Sequence, residues 1–135
     1  MNTLKGVITG IETAGSISVV QLDVEGDHFT SVVMDTPATA AYMNTGEPVM
    51  VFFKETEVII GKEFSGKLSA RNRFTAVITG IETGSILSRI MMRYREFPLS
   101  SIITTRAVQD LNLNVGDDIT AFVKSNELSL MEWIR

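Results

Sequence analysis

The residues best suited to recognising charge are concentrated in one half of the chain. All seven arginines fall between residues 68 and 135, together with one lysine and seven acidic residues, whereas residues 1–67 carry four lysines and nine acidic residues. The net charge of −4 therefore combines an acidic first half with a slightly basic second half. A planar guanidinium suits bidentate recognition of oxyanions, so this placement favours anion binding by the second half. Ordinary surface charge explains the same placement without a ligand.

Few residues are suited to catalysis. The chain has no cysteine and one histidine, His28, which we expect to be a solvated residue in a turn with Asp27. Asp117 and Asp118 follow Gly116 in a predicted turn, where acidic residues are expected for backbone reasons. A nucleophile activated by histidine is therefore not indicated. We predict a binding protein that is not an enzyme and uses no metal ion or organic cofactor.

A glycine-rich segment in the middle of the chain resembles a phosphate-binding loop only in part. Gly61–Leu68 fits G-x-x-x-x-G-K but ends in Leu68, which has no hydroxyl for magnesium, and no helix is predicted after it. We interpret residues 63–68 as a linker that bends at Gly66.

The chain is an internal duplication. Val7–Thr13 returns letter for letter as Val77–Thr83, and the offset of seventy residues continues without a gap, pairing Ser31 with Ser101 and Lys54 with Lys124. Solenoid repeats are usually shorter, roughly 20 to 50 residues, and need three or more copies. The sequence therefore predicts two related domains, residues 1–62 and 69–135, joined by the linker.

Each copy is predicted to be rich in β-strand, because runs of Val, Ile and Thr end at turns that contain glycine or polar residues. In the first copy the turn is placed at residues 25–28. The predicted strands are Leu4–Glu12, Ile17–Val24 and Phe29–Met34 in the first copy, and Phe74–Glu82, Leu87–Tyr94 and Leu99–Ile103 in the second.

One short helix and two closing strands complete each predicted copy. Thr104 or Thr105 is the candidate N-cap of the second helix, and the first is expected to open at Thr36–Ala38, with Pro37 in its first turn. The closing strands are expected at residues 49–54 with 57–60, and at 119–124 with 127–130. The fold class is therefore all-β, with two tandem five-stranded OB-like barrels that each carry one short helix.

The second copy also resembles a known family. Ser69-Ala70-Arg71-Asn72 precedes its first strand, and Thr104–Leu113, Gly116 and Lys124-Ser125 follow downstream. Together these segments resemble the molybdate-binding Mop domain of the TOBE superfamily. The resemblance spans the whole chain, and two copies in tandem are similar to the di-Mop molbindins and to the sensor half of a molybdate-responsive regulator.

The resemblance implies a site for molybdate or tungstate. A tetrahedral dianion offers only acceptor oxygens, so its site needs converging donors and positive charge. Family membership implies a homo-oligomer, a trimer or dimer, in which the Ser-Ala-Arg-Asn segment of one protomer approaches the Thr and Lys of another. The candidate oxyanion-binding residues are Ser69, Ala70, Arg71, Asn72, Thr104, Ala107, Val108, Lys124 and Ser125.

Some positions depart from the family pattern. Many Mop domains have a serine where this chain has Ala107, so only a backbone amide remains to donate there. The first copy has Met34 in place of Thr104 and Glu55 in place of Ser125, and a carboxylate beside Lys54 repels a dianion. We expect the first copy to keep the barrel without the pocket.

Two other function classes remain open at this point. Arg89, Arg93 and Arg95 alternate beside Tyr94 and Phe97, as in OB folds that bind single-stranded nucleic acid. Alternatively, the chain senses oxyanion for a partner in trans, through residues 93–95 or the tail 131–135. No apolar run is long enough to span a membrane and the first six residues are not apolar enough for a signal peptide, so we expect a cytoplasmic protein that stores or senses oxyanion.

Overall fold

The computed structural model describes residues 1–134, which form ten β-strands, one α-helix and two short 3-10 turns. The strands of the first copy are β1 (Asn2–Ala14), β2 (Ile17–Val24), β3 (Asp27–Val33), β4 (Pro48–Phe53) and β5 (Ile59–Gly61). Those of the second are β6 (Asn72–Thr83), β7 (Leu87–Tyr94), β8 (Phe97–Thr104), β9 (Asp118–Val123) and β10 (Ser129–Glu132). The helix α1 is Thr105–Asp110, and the 3-10 turns are Glu55–Glu57 and Ser125–Glu127. No helix in the described chain is long and apolar enough to cross a membrane.

The strands form where the residue pattern predicts them because one side of each is apolar. In β1, Leu4 and Ile8 are buried while Lys5 and Val7 face outward, which is the period of two expected for a sheet with one covered face. The predicted all-β class with two five-stranded OB-like units is confirmed. One difference is that β3 begins at Asp27, so Asp27 and the exposed His28 lie in a strand instead of the predicted turn.

The two copies exchange their last strands. The sheets have the orders β10-β4-β1-β2-β3 and β5-β9-β6-β7-β8, so each contains four strands of one copy and the closing strand of the other. Leu130 pairs with Val51, and Ile60 pairs with Ala121. The prediction that each copy closes its own unit is therefore wrong.

The connection before each closing strand has a geometry that is compatible with the exchange. A tight hairpin usually needs residues with positive φ, but Lys54 and Val58 are extended on either side of a 3-10 turn. Lys124 and Leu128 have the same geometry. After each turn, the closing strand joins the sheet of the other copy and does not fold back onto the sheet of its own copy.

The core is continuous between the copies. Phe29 and Phe53 of the first copy meet Phe74 of the second, with ring centroids 5.6 and 6.5 Å from its ring, and Tyr94 lies 4.6 Å from Phe74. All four side chains are buried. Because each pair of aromatic rings adds about 0.5 to 1.5 kcal/mol beyond area burial, this cluster ties the copies together.

Only the second copy has the predicted α-helix. There Thr105 donates through its Oγ1 to Gly84 O at 2.7 Å and shares a hydrogen bond with Ser88. Asp35 occupies the equivalent place in the first copy and cannot donate in this way. The Thr36 N–H instead donates to Thr39 Oγ1, and the chain makes a single hydrogen-bonded turn at residues 36–40. The helix predicted at Thr36–Ala38 is therefore wrong.

The strand exchange predicts that neither half folds alone. A fragment of residues 1–67 leaves β4 without β10, and a fragment of residues 68–135 leaves β9 without β5. We expect each monomeric fragment to lack a cooperative thermal transition and an equimolar mixture to regain one, as measured by circular dichroism with light scattering. A monomeric fragment that melts cooperatively by itself would contradict the exchange.

Candidate functional site

Three of the predicted anion donors lie together where β6 begins and β9 ends. Asn72 pairs with Val123 across these antiparallel strands, so Arg71, just before β6, lies next to Lys124, just after β9. Ser125 follows directly and opens the second 3-10 turn. Arg71 and Lys124 are exposed, and neither forms an ion pair within residues 1–134. Strand pairing thus concentrates two cationic side chains and one hydroxyl at one end of the second sheet.

Asn72 occupies a different environment from its neighbours. Its side chain is completely buried, the Thr30 N–H donates to its Oδ1 at 2.6 Å, and its Nδ2 donates to Thr30 O at 2.8 Å. These bonds join the first strand of the second copy to β3 of the first. The amide is already hydrogen-bonded at both ends to protein, so its side chain is not a free donor for an anion.

The segment that precedes Arg71 is exposed but anchored. Ser69 is exposed and Ala70 is half-buried, in a loop that enters β6 after a bend at Gly66, where φ is 115°. Lys62 Nζ lies 3.0 Å from Asp117 Oδ2, and the ring of Phe64 contacts that of Phe122 edge to face at 5.0 Å. These contacts hold the linker against the second sheet.

The charge around Lys124 is not purely positive. A hydrogen bond with Glu57 raises the pKa of Glu127, burial and the negative charge of Glu57 add to this, and the nearby Lys124 opposes it. Glu57 and Glu127 are equivalent residues of the two copies, and their carboxyl groups meet beside the lysine. Within residues 1–134, no group of three or more His, Cys, Asp or Glu side chains is arranged to hold a metal ion.

The remaining candidates lie at the start of α1. Thr104 is its N-cap, as one of the two alternatives predicted, and its Oγ1 accepts from the Ala107 N–H at 3.1 Å. This bond uses the Ala107 amide but leaves the Thr104 hydroxyl hydrogen free to donate outward. Val108 is half-buried and packs against the core. A cleft of about 390 Å³ beside Thr104 is also lined by Ile86, Arg106 and Gln109.

The two groups of candidates do not converge within one protomer. Thr104 pairs with Leu87 at the far end of the sheet, beyond the pair Thr83–Ser88, whereas Arg71 and Lys124 lie beyond the start of β6. A strand of this length covers roughly 35 Å. The grouping also differs from the one that the resemblance implies, because Lys124 lies with the Ser-Ala-Arg-Asn segment and not with Thr104.

The equivalent positions of the first copy have different chemistry. Met34 is exposed where the second copy has Thr104, and Glu55 stands where Ser125 does. A hydrogen bond from the Met1 amino group lowers the pKa of Glu55, and the charge of Arg89 contributes. A carboxylate that stays ionised therefore occupies the place of the hydroxyl.

Tyr94, one of the two aromatic residues proposed for stacking on nucleic acid, is not placed for it. Tyr94 is only 2% exposed, and its Oη donates to Asp27 Oδ2, which also accepts from Arg95 at 3.1 Å. A ring in the core cannot stack on a base. Arg95 lies in the turn after β7 and not on the strand face.

The sequence model of the TOBE domain matches residues 1–60 and again residues 68–130. The chain belongs to the TOBE family. The two matched ranges are the two copies of the internal repeat, so each copy is recognised as a TOBE domain in its own right.

Similar proteins handle molybdenum. The molybdenum transport protein ModE of Herbaspirillum seropedicae is 26% identical over 127 residues, which are 92% of this chain and 47% of that protein. The molybdenum import ATP-binding protein ModC of Brucella abortus is 34% identical over 70 residues, 51% of this chain and 20% of that protein. The chain thus spans about half the length of the ModE relative.

A solved structure matches almost the whole TOBE pair. The cytoplasmic molybdate-binding protein ModG, crystallised with molybdate bound, superposes with a TM-score of 0.91 and 26% identity over 98% of this chain and 96% of that one. The similarity to this molybdate-binding protein therefore covers both copies of the repeat, and not only one domain.

The buried Tyr94 predicts a loss of stability at high pH. Burial and the hydrogen bond to Asp27 raise the pKa of Tyr94 above its ordinary value of 10.0. The folded state therefore holds this proton more tightly than the unfolded state, and the associated stability is present below pH 10 and lost as the pH rises above it. Denaturant unfolding between about pH 8 and pH 11 should show a smaller loss in Tyr94→Phe than in the unchanged protein. Equal losses would exclude this role for Tyr94.

Proposed function

We propose that this protein binds molybdate, and the similarly shaped tungstate, through the donors at the joint end of β6 and β9. The observation that carries the proposal is the pairing of Asn72 with Val123, which brings Arg71, Lys124 and Ser125 together in a chain that resembles ModG over nearly its whole length. Ser69 and the backbone of Ala70 are proposed to complete this side. Binding requires no catalytic group, so the function that we propose is not enzymatic.

The chemistry of this group suits a tetrahedral dianion. Arg71 and Lys124 supply charge, and the Ser125 and Ser69 hydroxyls supply neutral donors, while a dianion offers only acceptors. The Glu57 and Glu127 carboxyl groups lie close to Lys124 and reduce the local positive charge. The guanidinium of Arg71, adjacent to Lys124 in register, offsets that reduction.

The second side of the site is proposed to come from another protomer. Thr104, whose hydroxyl hydrogen is free to donate, lies too far away to serve the same protomer's Arg71, and the Ala107 amide is already bonded to its side chain. Ile86 and Leu87, beside Thr104, are 77% and 55% exposed, and apolar surface of this kind favours contact with another chain. We therefore propose a homo-oligomer, a trimer or dimer, with sites at the contacts between subunits.

The cellular role proposed is cytoplasmic storage or homeostasis of the oxyanion. The similarity to a cytoplasmic binding protein over the full chain supports this role. Sensing for a partner in trans is the second candidate, favoured by the match of 92% of the chain to about half of ModE. In either role the ligand site is the same.

Binding should depend on the second copy's lysine and not on the first's. Each hydrogen bond to a charged group is worth roughly 1.5 to 3 kcal/mol, so Arg71→Ala and Lys124→Ala should each weaken molybdate binding by about 10- to 100-fold. Lys54→Ala is the matched control and should change affinity little, because Glu55 already offsets that charge. Calorimetric titration of molybdate, tungstate, sulfate and phosphate measures these differences. Absence of molybdate and tungstate binding to the unchanged protein would refute the proposed function.

Assembly should be necessary for tight binding. If Thr104 of one protomer completes the site of another, light scattering at micromolar concentration should show a trimer or dimer. Thr104→Ala should weaken molybdate binding while the oligomer persists, because one donor is lost and the apolar contact is kept. A monomer that binds molybdate with full affinity would disprove the shared site without affecting the fold.

A further inference from the structure

Two asparagines seventy residues apart clamp the two copies to each other. Asn72 bonds both backbone groups of Thr30 at 2.6 and 2.8 Å, and Asn2 bonds both backbone groups of Ser100, each at 2.8 Å. Asn72 is 0% exposed and Asn2 is 3% exposed. Each side chain replaces a strand partner for a backbone segment of the other copy. The same asparagine clamp therefore occurs twice: once from the second copy to the first, and once from the first copy to the second.

A pair of serines repeats this arrangement one residue further along each strand. Ser31 Oγ donates to Leu128 O, and Ser101 Oγ donates to Val58 O at 2.8 Å. Leu128 and Val58 follow the two 3-10 turns directly. Both serines are completely buried, so these hydrogen bonds are shielded from water. Each serine fixes the end of the turn that belongs to the other copy.

The clamp on β3 holds the proposed anion donors from two sides. Asn72 is the neighbour of Arg71, and Leu128 closes the turn that begins with Ser125 just after Lys124. Both are fastened to successive residues of one strand of the first copy. We propose that Asn72 and Ser31 are positioning residues for the oxyanion site, and that the first copy serves the site through β3 although its own pocket chemistry is lost.

The equivalent clamp on β8 holds Lys54 but no arginine and no hydroxyl at the matching positions. Asn2 follows Met1, and Val58 closes the turn that begins with Glu55, so the elements fixed on β8 present a carboxylate where the other side presents a hydroxyl. Ser100 and Ser101 precede Thr104 on β8, but Thr104 is separately held by its pairing with Leu87 and by the α1 cap. The two clamps thus have matched structural roles and unequal functional roles.

This inference rests on the proposed function and is tested with matched variants. Asn72→Ala and Asn2→Ala, and likewise Ser31→Ala and Ser101→Ala, remove equivalent buried hydrogen bonds, so members of each pair should lose similar unfolding free energy. At metal sites, loss of the groups that orient the ligands typically costs about 10- to 100-fold in affinity, and we expect the same range at this anion site. Molybdate titration should therefore show weakening of this size for Asn72→Ala and Ser31→Ala, and less than about threefold for Asn2→Ala and Ser101→Ala, well below that range.

The titrations distinguish failure of the proposed function from failure of the positioning role. If the unchanged protein binds neither molybdate nor tungstate, the proposed function itself fails. If it binds, and both members of a pair lower affinity equally or neither does, the positioning role is overturned. If Asn72→Ala does not fold, the serine pair decides, because a hydroxyl removed from Ser31 leaves both Asn72 bonds in place. The inference is supported if Ser31→Ala binds molybdate more weakly than Ser101→Ala while both variants lose the same unfolding free energy.

Discussion

The pairing of β10 with β4, and of β5 with β9, is the constraint on which the rest of the structure depends. Each sheet lacks its fifth strand unless the other copy supplies it. The shared aromatic cluster and the two asparagine clamps follow from this exchange, because they join surfaces that it brings together. The duplication therefore did not produce two neighbouring domains. It produced one body with approximate internal two-fold symmetry.

That symmetry explains how the copies can differ in chemistry. A closing strand must keep the pattern that its partner sheet requires, but the residues around it are free to change. In the first copy Glu55 and Met34 replace a hydroxyl and a threonine, and Asp35 replaces the threonine that anchors α1 in the second. Its framework completes both sheets, although these positions do not match the donor set proposed for the second copy. In the proposed function, one copy supplies most of the groups that contact the anion and the other supplies much of their support.

Much of the architecture could be predicted from the sequence because strand periodicity is local information. The residue pattern predicts Ile17–Val24 and Leu87–Tyr94 to the residue, and Thr104 is one of the two N-caps that it allows. The exchange could not be predicted, since a closing strand has the same pattern whether it pairs within its copy or across. Whether Arg71 and Lys124 meet depended on register, which only the paired sheet defines.

Asn72 shows where a family motif misleads and which signal corrects it. The family resemblance groups Asn72 with the anion ligands because it ends the Ser-Ala-Arg-Asn segment. Its side chain, however, is hydrogen-bonded to the backbone of Thr30. The first copy has lost that segment except for Asn2, which occupies the equivalent position. An asparagine present in both copies, although only one contains the full segment, is better explained by packing. Ser31 and Ser101, also identical at the same offset, carry the same signal.

The exchanged strands also leave one sheet edge open while the chain is being synthesised. β4 precedes β10 in the chain by the whole second copy, so its outer edge, with Val49 and Val51, has no partner until β10 has been synthesised. Open strand edges recruit other chains, and long-range pairing slows folding. Until β10 is synthesised, the β4 edge is therefore open to pairing with a strand of another molecule, such as its β5.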